Sequence, residues 1–156
     1  MRSISEAETK KFAQNIAKKL LQSYHKRHRG SLIIGLKGDL GAGKTFFVKS
    51  FLGAFGIKER VVSPTFVLMR EYEIKNSNAI NKKYKKAYHI DAYRLHSLKD
   101  LRHLNFNKLL KEKNAILLIE WADKIKKLLP KKTLWMDFKH GKKENERIIK
   151  LITNNQ

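Results

Sequence analysis

Cysteine is absent from this 156-residue chain, which rules out a disulfide framework and a thiolate zinc site and suits a reducing compartment. Proline is nearly absent, at two residues, and glycine numbers only eight, so the composition excludes collagen-like and Pro/Gly-rich disordered polymers. Long apolar runs are missing too. The longest near the middle, Ala115 to Ile119, falls far short of the roughly 20 residues that cross a bilayer. The opening Met1-Arg2-Ser3-Ile4-Ser5-Glu6-Ala7-Glu8 carries two acids where an export signal carries an apolar run. These absences point to a soluble, cytoplasmic chain without membrane contact, and the length points to one compact domain over 1–156.

Acids are scarce: 14 against 35 bases, a formal charge of +21. Such an excess fits a polyanion partner, because clustered cations release counterions on meeting phosphate. The bases are 27 lysines and only 8 arginines, beside frequent Asn and Ile, as coding bias toward A and T would produce. Net charge governs non-specific association rather than fold, so a nucleic-acid contact is compatible with the charge but not required by it.

What is present is an alternation of helical and extended patterns. Ser5 followed by Glu8 has the capping-box form, and Phe12, Ile16, Leu20 and Tyr24 recur at helical spacing, predicting a first helix over about 5–24. Its end, His25-Lys26-Arg27-His28-Arg29-Gly30, places cations at the negative end of the helix dipole and a glycine beyond the last turn. Ser31 to Lys37 predicts a buried strand, followed by a glycine-rich turn and a helix over 44–55 stopped by Gly56. Val61 and Val62 begin an extended region that continues as Val67 to Ile74. A polar turn over 76–81 and a strand over Tyr84 to Asp91 complete a hairpin. On that reading Lys82, Lys83, Lys85 and Lys86 decorate a solvated edge. Ser97 and Asp100 open a third helix to about Leu110. Ala115 to Ile119 is a central strand ending on Glu120, Ala122 to Leu129 a short helix stopped by Pro130, and 133–139 with 146–152 a closing hairpin around Gly141. The fold class is α/β, with a mixed parallel and antiparallel sheet flanked by helices, and the Gly38-x-x-x-x-Gly43-Lys44-Thr45 turn between the first buried strand and its helix makes it a P-loop NTPase-like domain.

The chemistry concentrates at Gly38-Asp39-Leu40-Gly41-Ala42-Gly43-Lys44-Thr45, a complete G-x-x-x-x-G-K-[ST] pattern between a strand and a helix. Glycines let the backbone N–H groups point inward as an anion nest, and the helix opening at Lys44 adds its positive dipole end. Lys44, expected to face solvent, supplies a point charge to the β- and γ-phosphates of ATP. The Thr45 hydroxyl is placed to ligate Mg²⁺. A carboxylate is needed beside that metal, and two acids follow apolar strands: Glu120 and Asp91. Spacing alone does not divide the roles of metal ligand and water-orienting group between them, although the strand before Glu120 has the Walker B composition.

The P-loop, Ser63-Pro64-Thr65-Phe66, His89-Ile90-Asp91-Ala92-Tyr93-Arg94 and Ile119-Glu120-Trp121, with Ser5-x-x-x-Thr9 near the start and Arg147 near the end, resemble the TsaE (YjeE) family over nearly the whole chain. The resemblance implies an ATPase that acts with TsaB and TsaD in making threonylcarbamoyladenosine beside the tRNA anticodon. It implies that Thr45 and Glu120 ligate Mg²⁺, that Asp91 is an essential acid near the γ-phosphate, itself within reach of the metal, and that the loop 63–66 senses the nucleotide. The ATP-binding set it implies is Gly38, Asp39, Leu40, Gly41, Ala42, Gly43, Lys44, Thr45 and Phe46, together with Thr9, Thr65 and Trp121, with Lys44, Asp91 and Glu120 catalytic.

Three other readings compete. A P-loop small-molecule kinase would bring an arginine-rich lid, and no arginines cluster after the central strand. A basic nucleic-acid-binding module would leave the P-loop a bystander. A GTPase would need N-K-x-D, and both Asn81-Lys82-Lys83-Tyr84 and Asn107-Lys108-Leu109-Leu110 lack the acid.

Overall fold

The computed structural model describes residues 1–27, 30–64, 66–75, 83–95, 98–143 and 146–152. The expected end of the first helix at His28-Arg29, the turn over 76–81 and the start at Ser97 lie outside the described residues, as does Thr65. The elements run β1 (Arg2–Ser3), α1 (Glu6–Arg27), β2 (Leu32–Gly38), α2 (Lys44–Gly53), β3 (Met69–Glu73), β4 (Lys86–Asp91), α3 (Leu98–His103), α4 (Phe106–Lys111), β5 (Ala115–Glu120), a 3₁₀ helix (Ala122–Leu128), β6 (Leu134–His140) and β7 (Arg147–Ile152). The seven strands form one sheet in the order β1-β7-β6-β2-β5-β4-β3. Its centre is parallel, β5 pairing with β2 and β4 and β2 with β6, and its flanks are antiparallel. No described helix is long and apolar enough to cross a membrane.

Strand alternation builds two cores, one on each face. Leu32, Ile34 and Leu36 of β2 join Ile116 and Leu118 of β5 against α1 and α2. Ile33, Leu117 and Ile119 point the other way, toward α4 and the 3₁₀ helix. Strands buried on both faces read as continuous apolar runs, which is why β2 and β5 were legible. On the first face α2 projects Phe47 and Phe51 at i, i+4, and Phe55 follows in the turn after Gly53, where the helix ends two residues before the expected 55; the successive ring centroids are 5.9 and 5.3 Å apart. Phe47 meets Phe12 of α1 and Phe138 of β6, and Phe55 meets Tyr84. The N-terminus of α1 is capped as its sequence predicts: Ser5 Oγ accepts from the Glu8 N–H at 3.2 Å. The return bond from Glu8 goes to the N–H of Ile4, one residue before the expected Ser5.

The structure corrects several expectations. The third helix is two short ones, α3 and α4, because Asn105 adopts φ 50° between them, a left-handed conformation that asparagine tolerates better than most residues. The helix after β5 is 3₁₀ rather than α and kinks at Ile125. The extended run at Val67 starts only at Met69, since Val67 closes a turn onto the Pro64 carbonyl and Leu68 has φ 62°; Val61 and Val62 join no ladder. Of the lysines expected on a solvated edge, Lys82 lies outside the described residues, Lys83 and Lys85 precede β4, and Lys86 opens β4, which lies inside the sheet; β3 is the edge, and Lys86 bonds Glu71 across the pair at 2.6 Å. A strand missing from the sequence reading, β1, is pinned to β7 by two paired residues and by the Arg2–Glu146 ion pair. That guanidinium, with the N–H groups of Lys143 and Lys142, holds the Glu146 carboxyl below its ordinary range.

Phe51 is wholly buried between the rings of Phe47 and Phe55. Phe51→Ala should therefore destabilise the protein by about 3–5 kcal/mol and lower its melting temperature by roughly 10 °C, as differential scanning calorimetry would register.

Candidate functional site

The sheet brings three chain segments to one place, the carboxyl ends of its parallel strands, where α/β folds bind ligands. Leu36 of β2 pairs with Glu120 of β5, and Glu120 pairs with Asp91 of β4. The P-loop leaves β2 two residues later. Gly38 has φ 132°, and a Cβ there would stand 2.0 Å from the Phe138 carbonyl oxygen of β6, so only glycine lets the two backbones meet. Gly43, at φ 94°, turns the loop into α2; no L side chain adopts that conformation without strain.

Lys44 does not face solvent as expected. It is 5% exposed, and its Nζ donates to the carbonyls of Gly38 at 2.6 Å and Asp39 at 2.7 Å. It also lies 3.8 Å from the centroid of the Trp121 ring. Burial pulls the ammonium below its ordinary pKa, an effect that Glu120, Asp123, Asp39 and Asp91 partly offset through their charges. Thr45 Oγ1 donates toward both Glu120 oxygens, at 2.8 and 3.0 Å.

Asp91 and Glu120 are each 3% exposed, so neither is a solvated strand-end acid. Their environments differ. Asp91 accepts from the N–H of Tyr93 at 2.8 Å and from the Ser63 hydroxyl at 3.3 Å, which ties it to the loop before β3. Glu120 is held by Thr45 and by His89, whose Nε2 is 2.7 Å from Oε1. His89 was quoted in the sequence reading within a motif and given no role; the available signal was its place two residues before Asp91 on a buried strand, which puts both on one face. Ser63 was noticed only as part of a motif.

Two cavities flank the P-loop. One, of about 410 Å³, is lined by Lys44, Thr45, Asp91, Glu120, Tyr93 and Trp121 among others. The second, of about 510 Å³, is lined by Thr9, Phe46 and Arg147 with Gly41 and Gly43. Thr9 is fixed there by a 2.8 Å hydrogen bond to Ser3. The expected ligand-contacting residues thus divide between these two cavities, apart from Gly38 and Asp39, which line a third cavity of about 270 Å³ with Trp121 and whose carbonyls hold Lys44, the buried Ala42, and Thr65, which is not described. Trp121 is half-buried, with φ 56° and its ring 5.0 Å from that of Tyr93.

A Mg²⁺ ion takes hard oxygen ligands and keeps several waters, so a hydroxyl and a carboxylate already side by side suit it. The donor set of Thr45 and Glu120, with Asp91 nearby on the neighbouring strand, fits that ion. Among the described residues no group of three or more His, Asp or Glu forms an all-protein metal cage.

Comparison with known proteins agrees with this geometry. The chain is 35% identical over 153 residues to the tRNA threonylcarbamoyladenosine biosynthesis protein TsaE of Rickettsia conorii, covering 97% of this chain and 77% of that protein. It is 38% identical over 126 residues to the protein of the same name from Rickettsia typhi, covering 80% and 75%. The crystal structure of Bacillus subtilis YdiB superposes with a TM-score of 0.67 at 28% identity, covering 97% of this chain and 82% of that one. The family model described as threonylcarbamoyl adenosine biosynthesis protein TsaE matches residues 3–149, and with its P-loop at the ends of the central parallel strands the chain belongs to the TsaE family.

Proposed function

We propose that this protein binds and hydrolyses Mg·ATP and works in the cytoplasm with TsaB and TsaD in threonylcarbamoyladenosine modification of tRNA. The observation that carries the reading is the Thr45–Glu120 pair beside Lys44, whose ammonium rests on two carbonyls of its own loop. Such a contact is what a phosphate-binding lysine makes when no phosphate competes for it. Thr9, Phe46 and Arg147 would surround the base and ribose, on the other side of the loop from the phosphates.

In this reading Lys44 turns from the carbonyls of Gly38 and Asp39 to the β- and γ-phosphates, and the P-loop N–H groups cradle the chain between them. Thr45 and Glu120 hold Mg²⁺, which when bound neutralises charge on the β- and γ-oxygens. Asp91, anchored by Ser63 and the Tyr93 N–H, orients the attacking water. Its bond to Ser63 joins the acid to the 63–66 loop, giving that loop a means to sense the γ-phosphate. Among the described residues no arginine lines the phosphate cavity. The Arg94 guanidinium lies 4.7 Å from the Phe66 ring centroid, and Arg70 stands on the edge strand β3. Leu40 at the mouth and Phe66 on the loop are 80% and 85% exposed, apolar surface for a protein partner to cover.

Three outcomes test this. Lys44→Ala should lose hydrolysis by roughly 100-fold or more, because the charge it removes acts in a water-poor site; near-normal hydrolysis by a folded variant would overturn the assignment. In a magnesium titration of hydrolysis, Glu120→Ala should shift the half-saturating concentration by roughly 10-fold or more, and Asp91→Ala should shift it less while lowering the maximal rate; the reverse order would exchange the two roles. The isolated chain should turn over well below about 1 per second at saturating Mg·ATP and be accelerated strongly by TsaB with TsaD, since an arginine supplied in trans is worth roughly 10³-fold or more in P-loop enzymes. Fast turnover without stimulation would show a site complete in one chain.

A further inference from the structure

Thr45 does not by itself orient the Glu120 carboxylate. Its hydroxyl has one hydrogen and stands nearly equidistant from the two oxygens, at 2.8 and 3.0 Å, so the carboxylate could rotate with little change in that contact. His89 breaks the symmetry, because its Nε2 meets Oε1 alone, at 2.7 Å. An ionised carboxylate only accepts, so the hydrogen of this bond sits on Nε2. The register explains the approach: His89 pairs with Leu118 and Asp91 with Glu120, which puts the imidazole on the same face of the sheet, one row back from the carboxylate.

Packing alone does not account for a histidine at this position. His89 is fully buried, and its Nδ1 has no hydrogen-bond partner among the described residues. An apolar side chain would fill the space without leaving a buried nitrogen unmet.

We propose that His89 is a positioning residue for the metal-binding pair, its Nε2–H fixing the rotation of the Glu120 carboxylate so that Mg²⁺ meets Thr45 and Glu120 already aligned. This rests on the Mg·ATP reading above and adds to it a residue that touches neither nucleotide nor metal. Outer-shell partners that fix a ligand in this way commonly govern metal affinity more than nucleotide affinity.

The test is a Mn²⁺ titration followed by electron paramagnetic resonance, on the full chain with a non-hydrolysable ATP analogue, for wild type, His89→Gln, His89→Asn and His89→Leu. A glutamine amide nitrogen reaches the place of Nε2, whereas that of asparagine falls short near Nδ1. His89→Gln should bind Mn²⁺ within about threefold of wild type, and His89→Asn and His89→Leu about 10–100-fold more weakly. Metal-free nucleotide binding should be unchanged in all three, and thermal melts should show each variant folded. Should the leucine variant not fold, the Gln/Asn pair, equal in polarity, still decides. Asparagine binding as tightly as wild type, or glutamine as weakly as asparagine, overturns the role of His89 while leaving Mg·ATP binding intact. A wild-type protein that binds no Mn²⁺ with the analogue overturns the Mg·ATP reading and the role of His89 together.

Discussion

The parallel pairing of β5 with both β2 and β4 determines where every group of the site stands. Leu36, Glu120 and Asp91 form one row across three strands, and a row in a parallel sheet points its side chains to one face. A shift of one residue in β4 would turn Asp91 and His89 to the opposite face, toward α4 and the 3₁₀ helix. The apolar residues oppose that shift: Ile90 and Tyr88 would then enter the face now filled by α1 and α2. Core packing and site geometry are therefore fixed by the same register.

The row gathers charge in a place with little water. Two carboxylates and an ammonium sit at 3–5% exposure, and isolated charges so placed would cost several kcal/mol each. None is isolated. Glu120 accepts from Thr45 and His89, Asp91 from Ser63 and a backbone N–H, and Lys44 donates to two carbonyls. Apart from the imidazole of His89, which stands within β4, each of these bonds is made by a group at the end of an element or in a loop. The surrounding surface of +21 adds a field that favours approach of anions in general.

The sequence made the P-loop, β2, β5 and the two candidate acids legible because each is a local signal: a glycine spacing, a continuous apolar run, an acid at its end. The closing hairpin and the capping box at Ser5 were equally local. What was missed is non-local or conformational. That β4 lies inside the sheet follows from its pairing with β5, 25 or more positions along the chain, and with it the functional weight of His89. The left-handed residues Leu68 and Asn105 break stretches that periodicity runs together, since a hydrophobic pattern does not record the backbone angle at one position. Lys44 was expected to face solvent because its type usually does, whereas the turn over Gly38 and Asp39 offers it two carbonyls.

Trp121 shows how strand end and loop are joined. An aromatic residue at φ 56° carries strain of about 1–3 kcal/mol, and a lysine over an indole returns about 0.5–2 kcal/mol. The Lys44 contact alone therefore does not hold the residue there. The remainder comes from the Tyr93 ring at 5.0 Å and from the 3₁₀ helix, whose Lys124 N–H bonds the Trp121 carbonyl at 3.1 Å. Tyr93 is in turn bound through its N–H to Asp91 and through its carbonyl to Lys124. The left-handed turn after Glu120 is thus kept by contacts that do not involve Lys44. On the proposed Mg·ATP reading the indole would stay in place with the lysine drawn to phosphate, and the ammonium would exchange a ring and two carbonyls for an anion without unmaking the end of β5.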